Sequence, residues 1–411
     1  MQLCNRIKRF WLLMSLFAIG SLYLLSIYFD LNSESWRSGR LFFGIDNKTP
    51  LPQGLNDSTK LVLFWNTMFG DETFYFGRGD VFENCPNIPK GSCYATHNRY
   101  AANVENFDAI LFHGNELDIG DLPKKRRPHQ RYIFTNLESP VNRPLPYPFF
   151  ENYFNLTMTY RLDSDIVWPY SLIREKATGE ILWPLHQTTV GKTSSATGNT
   201  MKAIPSSNVT QLIRKKKKTA VWFVSNCNSM SGREKYVDEL EKYIDVDIYG
   251  FCGQKSCKRD QDCFKTVIEP NYFFYLSFEN SLCQDYVTEK LYNALKHYVV
   301  PVVYGGANYS LFAPPDSYIN TMDFESPLLL AKYLKKLTKE PKEYAKYFEW
   351  KHQYEAPSSP LKFTICQLCR YLLEDHKPKT YDPLSSWYKY NKCPLQEKLN
   401  FLPYLTKSAL N

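Results

Sequence analysis

"FYLSFENSLCQDYVTEKLYNALKHYVVPVVYGG", residues 274–306, is the stretch that decides the fold. Its opening run, "YFFYLSF" over 272–278, is apolar and aromatic almost throughout, as a strand covered on both faces must be. A polar loop follows, and then Val287, Leu291, Leu295 and Tyr298 fall on one stripe of a helix expected over about 287–298. "VVPVVYGG" (299–306) is a second apolar run, which Pro301 assigns to an edge or bulged strand. Upstream, "TAVWFVS" (219–225) and "VDIYG" (246–250) read as strands. Between them Ser231 and Glu234 have capping-box spacing ahead of a helix that carries Val237, Leu240 and Ile244 on one face. Strands alternating with helices imply an α/β fold with a parallel, doubly wound sheet.

Such sheets bind ligands outside the carboxyl ends of their strands, where loops lead into helix N-termini. Arg233 lies there after "WFVSNCNSMSG", and Glu289 and Lys290 lie there after "SFENSLCQDYVT". Free N–H groups at a helix start suit a phosphate; an added Arg and Lys suit a diphosphate. Charged first-turn residues are equally common on solvated helices, and neither G-x-G-x-x-G nor a Walker loop is present. Residue spacing therefore leaves a sugar nucleotide as one ligand among several.

The 411 residues suffice for two domains, since single cores rarely grow past roughly 250–300 residues. "LVLFW" (61–65), "AILFHG" (109–114) and "RYIFTN" (131–136) are candidate strands of a first half, and the Ser-, Thr- and Lys-rich interval 175–218 reads as the connection to the second. The net charge of +8 is concentrated in "KKRR" (124–127) and "RKKKK" (214–218), read as solvated loops, with no nucleic-acid-binding motif beside them. Phe10–Phe29 is a run of 20 residues without a charge, and at 1.5 Å per residue it spans about 30 Å, the thickness of a bilayer core. Arg6, Lys8 and Arg9 precede it, which keeps that end cytosolic and sends the rest into a lumen. Residues 30–60 read as a stem. Sequons at Asn47, Asn56, Asn155, Asn208 and Asn308, and ten cysteines beyond Cys4, suit an oxidising lumen in which several disulfides form. The one tight cysteine pair is Cys366–Cys369, and the seven histidines are not clustered, so no metal site is read.

The 274–306 block closely resembles the signature of the α1,3-fucosyltransferase family, and "TNLESP", "FNLTMTYRLDSDIVWPY" and "WFVSNCNSMSGREKYVDEL" resemble its other blocks in order, over about residues 61–375. The resemblance implies a Golgi type II membrane enzyme of GT-B type, two Rossmann-like domains facing across a cleft after one transmembrane helix. The chain then divides into a cytosolic tail (1–9), signal-anchor (10–29), stem (30–60), acceptor domain (61–205), GDP-fucose-binding domain (206–365) and a cysteine-containing tail (366–411) packed back on the body. It implies GDP-β-L-fucose as donor, a GlcNAc hydroxyl of a glycan as acceptor, and inversion to an α1,3 linkage. By motif, Arg233 and Lys290 hold the diphosphate, Glu289 the ribose or fucose hydroxyls, and Asn280 and Tyr286 the remaining donor contacts. Glu138 occupies the family's base position, with Glu279 as the runner-up carboxylate. Two cations at the leaving group make an essential metal or cofactor unnecessary, leaving a divalent ion at most a stimulant; Asp163-Ser164-Asp165 and Asp245-Val246-Asp247 are not expected to be ligands. Cys366 and Cys369 resemble cysteines that bridge either each other or early lumenal ones such as Cys85 and Cys93. The segment "FHGNELDIGDLPKKRRPHQR" lacks the His-His-aromatic-acid block of Lewis-type members, so N-acetyllactosamine and the innermost GlcNAc of N-glycans stay equally open as acceptors. The alternatives are a GT-B transferase of another nucleotide sugar and an inactive membrane-anchored glycan-binding homologue.

Overall fold

The computed structural model describes residues 50–145, 150–184, 207–258, 260–374, 377, 379–382, 384–388 and 393. The anchor read at 10–29 lies outside them, as does Asn47; among the described residues no helix is long and apolar enough to cross a membrane. Asn98–Val104 falls in a unit apart from the body formed by Asn56–His97 and Glu105–Asn411, and the fold below is that of the body.

Two parallel sheets build it. The first runs β2-β1-β3-β4-β5-β6, from β1 (Lys60–Phe64), β2 (Cys93–Thr96), β3 (Ala109–His113), β4 (Arg131–Asn136), β5 (Leu156–Thr159) and β6 (Ile166–Val167), with every neighbouring pair parallel. Every residue of β3 and β5 is buried, the burial that an uninterrupted apolar strand demands. A small antiparallel pair, β7 (Ile173–Arg174) and β8 (Ile181–Trp183), follows. The second sheet runs β10-β9-β11-β12-β13, from β9 (Lys218–Phe223), β10 (Val246–Tyr249), β11 (Tyr272–Phe278), β12 (Val300–Tyr304) and β13 (Ile319–Asn320), again all parallel.

Three sequence expectations need correction here. Pro301 does not mark an edge: β12 lies between β11 and β13, but β13 begins to pair only at Val302. At Pro301 the strand thus has one strand neighbour, and a missing N–H on its other side costs no ladder bond. The helix expected over 287–298 is Glu289–Leu295, because Thr288 is extended and gives its backbone N–H and hydroxyl to the Glu279 carboxylate (2.8 and 2.9 Å). The capping box fails too. Gly232, in the left-handed region at φ 68°, precedes the Arg233–Leu240 helix, and the Glu234 carboxylate reaches back to the N–H and hydroxyl of Ser229, not to Ser231.

The basic runs are only partly solvated loops. Lys216 is buried and donates to the carbonyls of Glu269 and Tyr272, its pKa pushed down to about 7 by burial. Arg126 lies 4.0 Å over the Tyr132 ring. Lys218 opens β9 and pairs with Asp247 at 2.7 Å, which also takes Lys255 at 2.5 Å and the Tyr272 hydroxyl. Burial alone would raise the Asp247 pKa, but hydrogen bonds from Lys218, Lys255 and Tyr272 outweigh it and hold the carboxyl well below the usual range. A depressed folded pKa gives stability that is present above the unfolded value near 3.8 and fades as pH falls below it. Asp247→Asn is therefore expected to shrink the gap in melting temperature between pH 7 and pH 3 by a few degrees, read by circular dichroism; an unchanged gap would refute the assignment.

All ten cysteines expected to be lumenal are paired: Cys85–Cys366, Cys93–Cys369, Cys227–Cys252, Cys257–Cys263 and Cys283–Cys393. Cys366 and Cys369 thus reach back to early cysteines and not to each other. The helix Leu361–Leu373 that carries them straddles the expected 365/366 boundary and sets Ile365 and Leu368 into the core of the first sheet. Closing a loop of 281 residues through Cys85–Cys366 is worth about 5 kcal/mol in chain entropy.

Of the sequons, Asn56 and Asn308 are exposed, and Asn208 lies in the helix Ser207–Lys215. Asn155 is different: it is buried, its carbonyl accepts from the Tyr132 N–H (2.8 Å), and its amide donates to the Lys379 carbonyl (2.8 Å). The Asn155 sequon thus sits in a tertiary contact, unlike the exposed Asn56 and Asn308.

Candidate active site

The carboxyl ends of β4 and β11 carry the site. Past β4, Asn136 turns the chain: its Oδ1 accepts the Glu138 N–H (2.9 Å), an Asx turn that lifts Glu138 off the strand end. The Glu138 Oε2 then accepts from the Tyr286 hydroxyl (3.1 Å) and from Asn142 Nδ2 (3.3 Å). One residue on, Ser139 Oγ donates to Ser281 Oγ (2.7 Å), both buried. Tyr170 donates to the Leu137 carbonyl (2.6 Å), and Asp285 accepts from the Leu162 N–H (3.1 Å). The "TNLESP" loop of the first sheet and the "FENSLCQDY" loop of the second are thus laced together.

Past β11 the two cations meet one short segment. Arg233 is buried and donates through Nη1 to the Phe278 carbonyl (2.8 Å), through Nη2 to the Asn226 carbonyl (2.9 Å) and through Nε to Glu234 (3.2 Å). Lys290 sets its Nζ 3.1 Å from Glu279 Oε2, 3.1 Å from Glu289 Oε1 and 2.8 Å from Thr288 Oγ1. The two cations thus bind adjacent residues, Arg233 the Phe278 carbonyl and Lys290 the Glu279 carboxylate. Arg233 is held by backbone carbonyls, whereas Lys290 is 20% exposed at the start of its helix and Glu289 beside it is 56% exposed. Gly306 lets the chain after β12 pass this loop, since a Cβ there would lie 2.4 Å from the Leu282 carbonyl.

Glu279, the runner-up base, has another job. It is fully buried, both oxygens accept from the Thr288 hydroxyl, and Lys290 is its counter-ion. Burial pushes its pKa up, partly offset by Lys290; the Lys290 pKa, which burial alone would lower, is raised by the two carboxylates. Asn280 leaves its side-chain carbonyl buried without a hydrogen-bond partner among the described residues, while its backbone carbonyl accepts from Ser231. Tyr286 is buried against Tyr160 (5.0 Å between centroids) and spends its hydroxyl on Glu138. Among the described residues no group of three or more His, Cys, Asp or Glu could hold a metal ion. Three of the four D-x-D aspartates are engaged elsewhere, Asp163 with Arg161, Asp165 with Thr157 and Lys379, and Asp247 as above.

Residues 57–171 match the family model "Fucosyltransferase, N-terminal" and residues 213–387 match "Glycosyltransferase family 10 (fucosyltransferase) C-term". The chain is 37% identical over 354 residues to the alpha-(1,3)-fucosyltransferase C of Drosophila melanogaster, covering 83% of itself and 80% of that protein. The chain belongs to glycosyltransferase family 10, the fucosyltransferases. The mouse 4-galactosyl-N-acetylglucosaminide 3-alpha-L-fucosyltransferase 9 is similar at 34% identity, over 81% of this chain and 82% of that one. The Drosophila glycoprotein 3-alpha-L-fucosyltransferase A is similar at 35%, over 80% of this chain and 60% of its own. A crystal structure of an alpha1,3-fucosyltransferase with GDP-fucose aligns with 82% of this chain at 16% identity and a TM-score of 0.48.

Within this fucosyltransferase, residue patterns missed Asn142, Thr288 and Tyr388, each of which holds a site carboxylate or its backbone. Asn136 had a readable signal, an Asn two residues before an acid after a strand. Tyr388, 250 residues from Glu138, had none.

Proposed function

We propose that the enzyme is an inverting α1,3-fucosyltransferase of GT-B arrangement, moving L-fucose from GDP-β-L-fucose to the 3-hydroxyl of a GlcNAc in a glycan. The observation that carries this is the meeting of Glu138, from the end of β4, with Tyr286, from the loop that leads into Lys290. Opposed strand ends thus offer a proton acceptor from one half and cations from the other. In the proposed step Glu138 takes the proton of the acceptor hydroxyl, the hydroxyl oxygen bonds to fucose C1 from the face opposite the nucleotide, and the C1–O bond breaks with its electron pair going to GDP. Lys290, with Arg233 behind it, offsets the charge gathering on that diphosphate, which is why a bound metal or cofactor is unnecessary. Glu289, exposed at the first helical residue, is placed to accept hydroxyls of the ribose or fucose, and the unpartnered Asn280 carbonyl is a further donor contact. The anchor at 10–29 places the body in the Golgi lumen, with residues 61–205 serving the acceptor and 206–365 the donor. The disulfides suit that compartment.

The test is to assay the full-length chain in membranes against GDP-fucose and other nucleotide sugars, with GlcNAc-terminated, N-acetyllactosamine and N-glycan-core acceptors. Proton NMR of the product is expected to show an α-linked fucose on a GlcNAc O3. A preference for another nucleotide sugar, a β linkage, or binding without transfer would each overturn the reading.

A further inference from the structure

The last described stretch of the chain forms a strap across the first sheet. Tyr381 exchanges backbone hydrogen bonds with Phe154 and Asn152, and its hydroxyl donates to Asp165 (2.8 Å). The Leu384–Trp387 helix follows; Arg161, itself buried, lies 4.1 Å over the Trp387 ring and donates to the Trp387 carbonyl. Tyr388 then enters the interior, 3% exposed, edge-on to Phe134 of β4 at 5.0 Å between centroids. The Cys283–Cys393 disulfide ties the strap to the "FENSLCQDY" loop of the other half.

The Tyr388 hydroxyl closes a ring of hydrogen bonds. It accepts from Asn136 Nδ2 (2.9 Å) and donates to the Glu138 carbonyl (2.7 Å), while Asn136 Oδ1 accepts the Glu138 N–H (2.9 Å). Both backbone polar groups of Glu138 are therefore fixed, one by Asn136 and one by the strap. With the backbone set, its carboxylate is aimed by Tyr286 and Asn142. Anchoring the remainder of the strap would need no hydroxyl at 388, since Arg161, Asp165 and the disulfide hold it on either side. The family-model match stops at residue 387, one position short of this tyrosine.

We propose that Tyr388 is a positioning residue for Glu138, carried into the site by the C-terminal strap, so that the reacting constellation is complete only when the Leu384–Trp387 helix is docked. The proposal rests on the reading of Glu138 as the base. A displacement of a reacting group by about 1 Å can cost on the order of a hundredfold in rate, which sets the scale of the effect.

The experiment compares Tyr388→Phe, Tyr381→Phe, Glu138→Gln and the Tyr388→Phe/Glu138→Gln double variant in the full-length enzyme. It records kcat, KM for both substrates, GDP affinity by calorimetry, and melting temperature. Tyr388→Phe is expected to lower kcat roughly 10- to 100-fold, with KM values and GDP affinity within about twofold of wild type. Tyr381→Phe removes a hydroxyl from the same strap and is expected to lower the melting temperature while leaving kcat unchanged. In the Glu138→Gln background, Tyr388→Phe is expected to add no further loss, because it acts through the carboxylate already removed. Wild-type kcat in Tyr388→Phe beside an inactive Glu138→Gln would overturn the strap proposal and leave the base reading standing. Equal kcat losses in Tyr381→Phe and Tyr388→Phe, or a full additional loss in the double variant, would also overturn it. Full turnover in Glu138→Gln would remove the base reading and this proposal together.

Discussion

Glu138→Gln is expected to reduce kcat by roughly 10²- to 10⁴-fold, the usual contribution of a positioned general base, with GDP-sugar affinity within about twofold of wild type. The substitution is close to isosteric. Its amide oxygen can still accept from Tyr286 and Asn142, and the backbone bonds to Asn136 and Tyr388 do not involve the side chain. What disappears is the capacity to take a proton from the acceptor hydroxyl. A fall in kcat at constant donor affinity is the signature of an interaction used in the transition state and not in the ground state. The measurement is steady-state kinetics with calorimetric titration of GDP. Retained turnover would exclude Glu138 as the base, and a parallel loss of GDP affinity would assign it to donor binding instead.

The contrast between Glu138 and Glu279 shows where residue patterns stop. Both are acids at strand ends, and motif position alone ranked them. The structure separates them by surroundings: Glu279 is enclosed with Thr288 and Lys290, while Glu138 faces the other half of the body. The parallel sheets were legible because β3, β5 and β11 are buried on every residue and carry no polar alternation that could mislead. Helix starts were legible to within two residues, and the error at 287–288 arose because Thr288 serves a carboxylate nine residues earlier. A periodicity window does not contain such a claim on the backbone. The same limit hid the true partner of Glu234, and it hid the contacts of the Asn155 side chain with Tyr132 and Lys379. Tyr388 lies at the far end of this scale, since its meaning depends on a pairing across 250 residues that no local signal encodes.

Lys290→Ala is expected to raise the donor KM and weaken GDP binding by on the order of a hundredfold or more, the loss of a charge-assisted contact to a diphosphate. Its effect has a second part, because Lys290 is also the counter-ion of buried Glu279. Breaking a buried pair from one side costs about 3–5 kcal/mol when the remaining charge stays buried and uncompensated. Without Lys290, burial and the Glu289 charge are opposed only by the Thr288 hydrogen bonds, and the Glu279 pKa rises further than in the wild type, where the cation offsets part of the rise. A raised folded pKa means stability that is present below the unfolded value near 4.5 and is lost as pH rises through the folded value. The melting-temperature deficit of Lys290→Ala should therefore be small near pH 4.5 and grow towards pH 8. That slope separates the two roles: GDP affinity measured near pH 5, where the variant fold is least compromised, must still be lost if the ammonium contacts the diphosphate. Lys290→Arg keeps a cation beside Glu279 and should restore the melting temperature while recovering donor binding only in part, since the ammonium and guanidinium present different donors. Near-wild-type GDP affinity in a folded Lys290→Ala would confine Lys290 to holding Glu279 and take the diphosphate away from this helix start.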